Sequence, residues 1–335
     1  MMSARGLPLA ATVLALLVLG GMACASGDSK VAFDVVADVP LPGDTSRFDY
    51  ESLDPDRHLL FIAHLGASEV LAFDTQTRKV VARIKDMSDV HGVLVVPELK
   101  RTYASATGTN EVVAIDEDSF AIMARIPGGR YPDGMAYAPD VHKLYVSDET
   151  GATETVINVQ SNQRVATIEL GGEVGNTQYD SVSKHIFANV QSRNDLVEID
   201  PTTDQVVRHI LVRGAEGNHG LLIDAARRRA FIVCEGNDKM LVINLDTRAV
   251  ESTFDVGRGP DVLSEDQLSG QVYVASESGV VSIFRQNDGR VIKAKEGFLA
   301  PNAHVVAIDA AQHLGYFPVK NLSGRPMLRL VRTVQ

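Results

Sequence analysis

One aromatic residue returns seven times at almost constant spacing, and no other feature limits the fold so sharply. Phe61, Tyr103, Tyr145, Phe187, Phe231, Tyr273 and Tyr316 are separated by 42, 42, 42, 44, 42 and 43 residues. Each stands in a short apolar run such as Leu60-Phe61-Ile62-Ala63 or Leu144-Tyr145-Val146-Ser147. Another apolar run precedes it, as in Gly134-Met135-Ala136-Tyr137, and two more follow. The third run ends in Asp or Asn (Asp74, Asp116, Asn158, Asp200, Asn244), and the fourth is typified by Val80-Val81-Ala82-Arg83-Ile84. Short alternating runs rich in Val, Ile, Tyr and Phe are strand chemistry. Four strands per unit in seven units predict an all-β fold, a seven-bladed β-propeller with four-stranded blades. The recurrent Asp or Asn has a local task, bonding backbone N–H groups two residues on to fix the last hairpin.

The last unit is one strand short, since only Met327 to Val331 follows Tyr316 as a strand. A matching strand lies near the other end, at Val35-Val36-Ala37-Asp38-Val39. The N-terminal strand is therefore expected to complete the seventh blade, closing the ring and leaving no blade edge open. Residues 1–25 read differently. Arg5 gives a basic start, Leu7 to Leu19 is apolar, and Ala23-Cys24-Ala25 fits a signal-peptidase site. The expected organisation is a signal peptide over 1–25 and a single propeller domain over 26–335, placed in the periplasm or secreted. Lipidation at Cys24 is the alternative, and no transmembrane segment is expected after cleavage. Cys234, in Ala-Phe-Ile-Val-Cys, reads as a buried, inert thiol.

The Tyr-Val-Ser/Ala strands, the Pro132-Asp133-Gly134 turn and the Asp74-Thr75-Gln76-Thr77 turn together resemble the exported bacterial propellers named for YVTN repeats. Among these the chain is most similar to the YncE-like group, over about residues 31–335. The resemblance implies the fold and export. Relatives on that scaffold include binders, lactonases, lyases and electron-transfer partners, so activity has to be read from a site. With no tryptophan in the chain, the signature of WD repeats is absent.

A second register supplies a candidate site. Just before each innermost strand stand Asp49, His91, Asp133, Asn176, His219, Asp261 and His304. In a propeller, equivalent inner positions form a ring around one mouth of the central channel. Imidazole and carboxylate groups converging there can hold a small ligand or a divalent metal (zinc, copper, manganese or calcium), with His91, His219 and His304 as the candidate metal ligands. The same residue types also cap tight turns, which is a purely structural use. A weaker outer set, His64, Asp148, Glu149, Glu235, Glu277 and Lys320, either widens an acidic pocket or is solvated loop. Arg227, Arg228 and Arg229 are expected on the opposite face as a solvated turn.

Exclusions narrow the function. A net charge of −11 argues against a nucleic-acid binder. There is no Gly-x-Ser-x-Gly elbow, His-Glu-x-x-His helix, phosphate-binding loop or haem-attachment motif. Two readings remain. The first is an exported propeller that binds a small molecule, a metal or a periplasmic protein partner at its polar mouth. The second is a metal-dependent lactonase, hydrolase or lyase using the same ring, its catalytic residues unassigned.

Overall fold

A computed structural model describes residues 33–287 and 289–333; the expected signal peptide, its cleavage site and Cys24 lie outside them. The described residues form seven four-stranded antiparallel sheets. Six are built from consecutive strands, beginning at residues 51, 90, 132, 174, 218 and 260. The seventh takes Ala307–Asp309, Leu314–Leu322 and Arg325–Arg332, then adds Val35–Pro40 as its outermost strand. Val35 lies opposite Val331 and Val39 opposite Leu328. Arg329 grips Asp38 through both carboxylate oxygens, at 2.8 and 2.9 Å. The expected closure by the N-terminal strand is thus present. Among the described residues no helix is long and apolar enough to cross a membrane.

The core lies between blades rather than within them. Tyr103 of blade 2 packs with Leu144 and Val146 of blade 3, and Phe187 of blade 4 with Ile232 and Cys234 of blade 5. Tyr316 of blade 7 packs with Leu60 and Ile62 of blade 1, completing the circuit. All seven repeated aromatics are buried. Two also bond into the next blade: the Tyr103 hydroxyl donates to Asn162 Oδ1 at 2.9 Å and that of Tyr145 to Asp204 Oδ1 at 2.5 Å. Outer strands such as Lys79–Ile84 alternate between exposed and partly buried residues, as an edge facing water must. The recurrent turn residues do what their chemistry predicts. Asp74 Oδ1 accepts from the Thr77 N–H at 2.7 Å, and Asn244 Oδ1 from the Thr247 N–H at 2.8 Å. Cys234 is a free, fully buried thiol, pushed up to about 12 by burial.

The three arginines are not a solvated turn. Arg227 pairs with Asp224 and Glu265, Arg228 with Asp180 and Asp246, and Arg229 with Glu251. Asp180 belongs to blade 4 and Glu265 to blade 6, so this run ties blade 5 to both neighbours. Guanidinium groups suit that role because their fixed fork meets carboxylates with little further ordering.

Candidate functional site: the axial mouth

The innermost strands are regular except at one point. In blade 2, Val90 pairs with Ala106 and then Val93 with Ala104, so His91 and Gly92 together face Ser105 alone. The same bulge recurs in blades 3, 4, 5 and 6. A bulge bends a strand and re-aims its side chains. The first bulged residue is His91, Asp133, Gly175, His219 or Asp261. Asp49 and His304 hold the matching place in blades 1 and 7, where the ladder starts only at Glu51 and Ala307. Six of the seven expected residues therefore hold the equivalent place in their blades. Asn176 is displaced by one residue, and the fourth position belongs to Gly175. The ring residues also lie within or beside bulged strands, not in turns ahead of them.

The backbone around the bulge explains its residue types. A Cβ on Gly92 would stand 2.2 Å from the Asp133 carbonyl oxygen, and one on Gly220 2.1 Å from that of Asp261. Only glycine lets adjacent inner strands approach so closely. The Ser105 hydroxyl donates to the Asp133 carbonyl at 2.9 Å, and Asn189 Nδ2 to the His219 carbonyl at 2.9 Å, so blades 2 and 4 hold the ring residue of the next blade in place. Two residues before the ring, Asp89, Tyr131, Gly217, Gly259 and Asn302 all have positive φ, between 46° and 64°. This turn brings the Asp89 carbonyl within 2.8 Å of His91 Nδ1 and the Asn302 carbonyl within 3.0 Å of His304 Nδ1.

These contacts fix the histidine tautomers. A carbonyl accepts, so Nδ1 of His91 and of His304 carries the proton and Nε2 presents a lone pair. Gln191 donates its amide to Glu149 at 3.0 Å, so its Oε1, 3.3 Å from His219 Nδ1, is an acceptor facing that ring. His91 Nε2 accepts from the Tyr131 hydroxyl at 3.0 Å. His304 Nε2 is buried without a hydrogen-bond partner, 3.9 Å from Asp261 Oδ2 and 3.8 Å from Glu277 Oε1. Burial, seconded by the Arg47 charge, pulls the His304 imidazole below its ordinary range.

The mouth is a cavity of about 560 Å³ lined by Arg47, Asp49, His91, Tyr131, Asp133 and Asp261, among others. Its charge is mostly acidic. Burial, reinforced by Asp49, pushes Asp261 well above the usual carboxylate range. Burial likewise lifts Asp133 to about 7, with His219 opposing and Asp49 adding to the rise; its Oδ1 is buried without a partner. Arg47 is the counter-charge. It lies 3.5 Å from both Asp49 Oδ2 and Asp261 Oδ2 and bonds Glu277. Burial works against its charge, but these three carboxylates outweigh it and keep it protonated. Tyr50 forms the floor. Its hydroxyl bonds Asn176 Oδ1 at 2.7 Å and lies 3.3 Å from His219 Nε2, and below it a second cavity of about 290 Å³ continues between the inner strands.

Two donor sets among the described residues bring three ligand atoms within 4.8 Å of one another: Asp49, Asp261 and His304, and His219, Glu235 and Asp261. His219 and His304 thus stand in sets able to take a metal, while His91 is turned to Tyr131. The outer residues divide. Glu149 and Glu235 line the cavity and Glu277 holds Arg47. His64 is buried against Phe48, ring centroids 4.1 Å apart, and Asp148 accepts from Thr153 and Thr155. Lys320 is not part of the cavity lining. Arg47, Tyr50 and Tyr131 were not anticipated. They flank ring positions by one or two residues, which is the signal that points to them.

No family model and no curated protein matches this chain. Solved structures do. Hydrazine synthase of Kuenenia stuttgartiensis superposes with a TM-score of 0.73 at 15% identity, over 89% of this chain and 98% of that one. Virginiamycin B lyase from Staphylococcus aureus gives 0.74 at 10%, over 88% and 98%. The RRP9 WD40 repeats give 0.76 at 11%, over 90% and 99%. At such identities these likenesses establish the fold alone.

Proposed function

We propose that this chain is an exported propeller of the YncE-like, YVTN-repeat kind, and that its axial mouth binds a divalent metal together with a small polar ligand. One observation carries the metal. The His304 Nε2 lone pair is buried, has no donor, and faces carboxylate oxygens of Asp261 and Glu277 at 3.9 and 3.8 Å. Arg47 answers the charge of those oxygens but gives this lone pair no donor, and a metal ion among them would answer both. Asp49, Asp261 and His304 would supply that cation's protein ligands, a mixed nitrogen and oxygen set suited to zinc or manganese. The Asn302 carbonyl on His304 Nδ1 is the outer contact that orients a metal-bound imidazole. The cavity above has room for a small molecule.

A second reading, a metal-dependent hydrolase or lyase, is favoured by Asp133. A buried carboxyl lifted to about 7 and facing the same cavity is poised to take or give a proton near neutrality. The metal would polarise a carbonyl or activate water.

Untagged protein, dialysed and offered zinc, copper, manganese or calcium in turn, tests the proposal by elemental analysis. Stoichiometric metal in the native chain and its loss in His304→Ala are expected. A metal-free native chain under all four supplies would refute the proposal. Turnover of a lactone and ester panel, lost in Asp133→Asn while metal is retained, would select the enzyme reading. Export is tested separately, by N-terminal sequencing of the protein from the periplasmic fraction: a start at Ser26 is expected.

A further inference from the structure

We infer that the mouth holds two divalent metals rather than one, bridged by the carboxylate of Asp261. The inference rests on the metal-binding reading above and extends it to a second ion and a division of labour.

Asp261 is the one residue common to both donor sets. Its two oxygens face different histidines. Oδ2 lies 3.9 Å from His304 Nε2, and Oδ1 lies 3.8 Å from His219 Nε2. His304 presents its unprotonated nitrogen, because the Asn302 carbonyl engages its Nδ1, and His219 Nε2 is turned to Asp261 and to the Tyr50 hydroxyl, 3.3 Å away. A carboxylate with an imidazole nitrogen beyond each oxygen has the geometry of a bridge in two-metal sites, whose ions stand roughly 3.5–4 Å apart.

The two positions differ in access. The first, formed by Asp49, His304 and Asp261 Oδ2, is lined wholly by buried residues. His304 does not line the cavity, whereas Asp49 and Asp261 do, so an ion there sits at the cavity wall on its buried side. The second, formed by His219, Glu235 and Asp261 Oδ1, opens into the cavity, and Glu235 is exposed to solvent. An ion held by three buried ligands has less room for outside ligands, whereas an ion facing the open cavity keeps positions free for water or ligand. The second metal is therefore the one that meets the ligand. A small oxyanion such as phosphate or a carboxylate suits it, since the ion and Arg47 supply positive charge in a mouth otherwise too acidic for anions.

The test is metal stoichiometry on the full chain, by elemental analysis and by titration calorimetry with zinc. Two equivalents are expected in the native protein. His219→Ala and Glu235→Gln should each leave one, as should His304→Ala, and Asp261→Asn should weaken both by about tenfold or more. Manganese spectroscopy provides a readout independent of affinity. Exchange-coupled ions are expected in the native chain and an isolated ion in His219→Ala, with circular dichroism confirming that each variant folds. One equivalent at saturation, lost in His304→Ala and untouched by His219→Ala, would overturn the two-metal inference while leaving the metal-binding mouth intact. No metal at all in the native chain would overturn both. Inorganic phosphate as probe should bind the zinc-loaded native chain and not the His219→Ala variant; equal binding to both would refute the assigned role of the second ion.

Discussion

The Tyr50 hydroxyl donates to Asn176 Oδ1 at 2.7 Å, joining blade 1 to blade 4 across the central channel. The ring of that tyrosine divides the upper cavity from the lower one. Tyr50→Phe keeps the divider and removes the bond, and should cost about 1 kcal/mol in urea denaturation. Tyr50→Ala removes the divider as well and should cost about 3–5 kcal/mol. Equal losses in the two variants would show that the hydrogen bond, not the packing, is what matters.

Arg47 and a metal compete for the same oxygens, because the guanidinium touches Asp49 and Asp261. Arg47→Gln should destabilise the metal-free protein by about 1 kcal/mol, a modest figure since the side chain is partly exposed and screened. The same change should tighten zinc binding severalfold. Thermal unfolding with and without zinc measures both effects, and weaker zinc binding in the variant would contradict the competition.

Away from the mouth, two carboxyl groups tie stability to pH. Burial lifts Glu117 to about 7, with Asp54 adding and Thr102 opposing, and burial with Asp224 lifts Glu265 to about 7. In the unfolded chain both ionise near pH 4. Between about pH 4 and 7 the folded state retains protons that the unfolded state has lost. The contribution of these groups is therefore complete below pH 4 and declines as pH rises through 7. The Glu117→Gln/Glu265→Gln variant should lose this slope. Relative to the native chain it should gain about 2 kcal/mol for each group replaced between pH 5 and pH 8, read from urea midpoints.

Gly220 stands where a Cβ would lie 2.1 Å from the Asp261 carbonyl oxygen. Gly220→Ala must push blade 6 away from blade 5 or distort the bulge, at a cost of about 1–3 kcal/mol. Because Asp261 moves with its backbone, the variant should also bind metal about tenfold more weakly. Unfolding midpoints and zinc titration check the two effects separately.

Blade number, strand order and closure were legible in the sequence because each rests on a repeated local demand. An aromatic must fill the wedge between blades, and an Asp or Asn must hold each hairpin. The ring was nearly legible. Its true positions, 49, 91, 133, 175, 219, 261 and 304, lie twelve residues before each repeated aromatic, and that spacing would have selected Gly175 over Asn176. What attracted attention at Asn176 was its polarity, whereas the position is defined by pairing with the second strand. Arg47 escaped notice for a different reason. Its importance comes from Asp261 and Glu277, more than two hundred residues away, and only closure of the ring makes them neighbours. The same long-range logic turns Arg229, which looks like a surface charge, into a buried tie between blades, since its guanidinium donates to Gln286 Oε1 of blade 6 at 3.1 Å.

The closing strand has a mechanical consequence. Val35, at the start of the strand Val35–Pro40, lies opposite Val331, near the end of Arg325–Arg332, so the two ends of the described chain leave the ring side by side. Antiparallel hydrogen bonds run perpendicular to their strands. Tension applied between residues 33 and 333 therefore opens this ladder one bond at a time, as a zip opens, rather than shearing all its bonds together. A ring held by seven shared interfaces is weakest to a pull at its own seam.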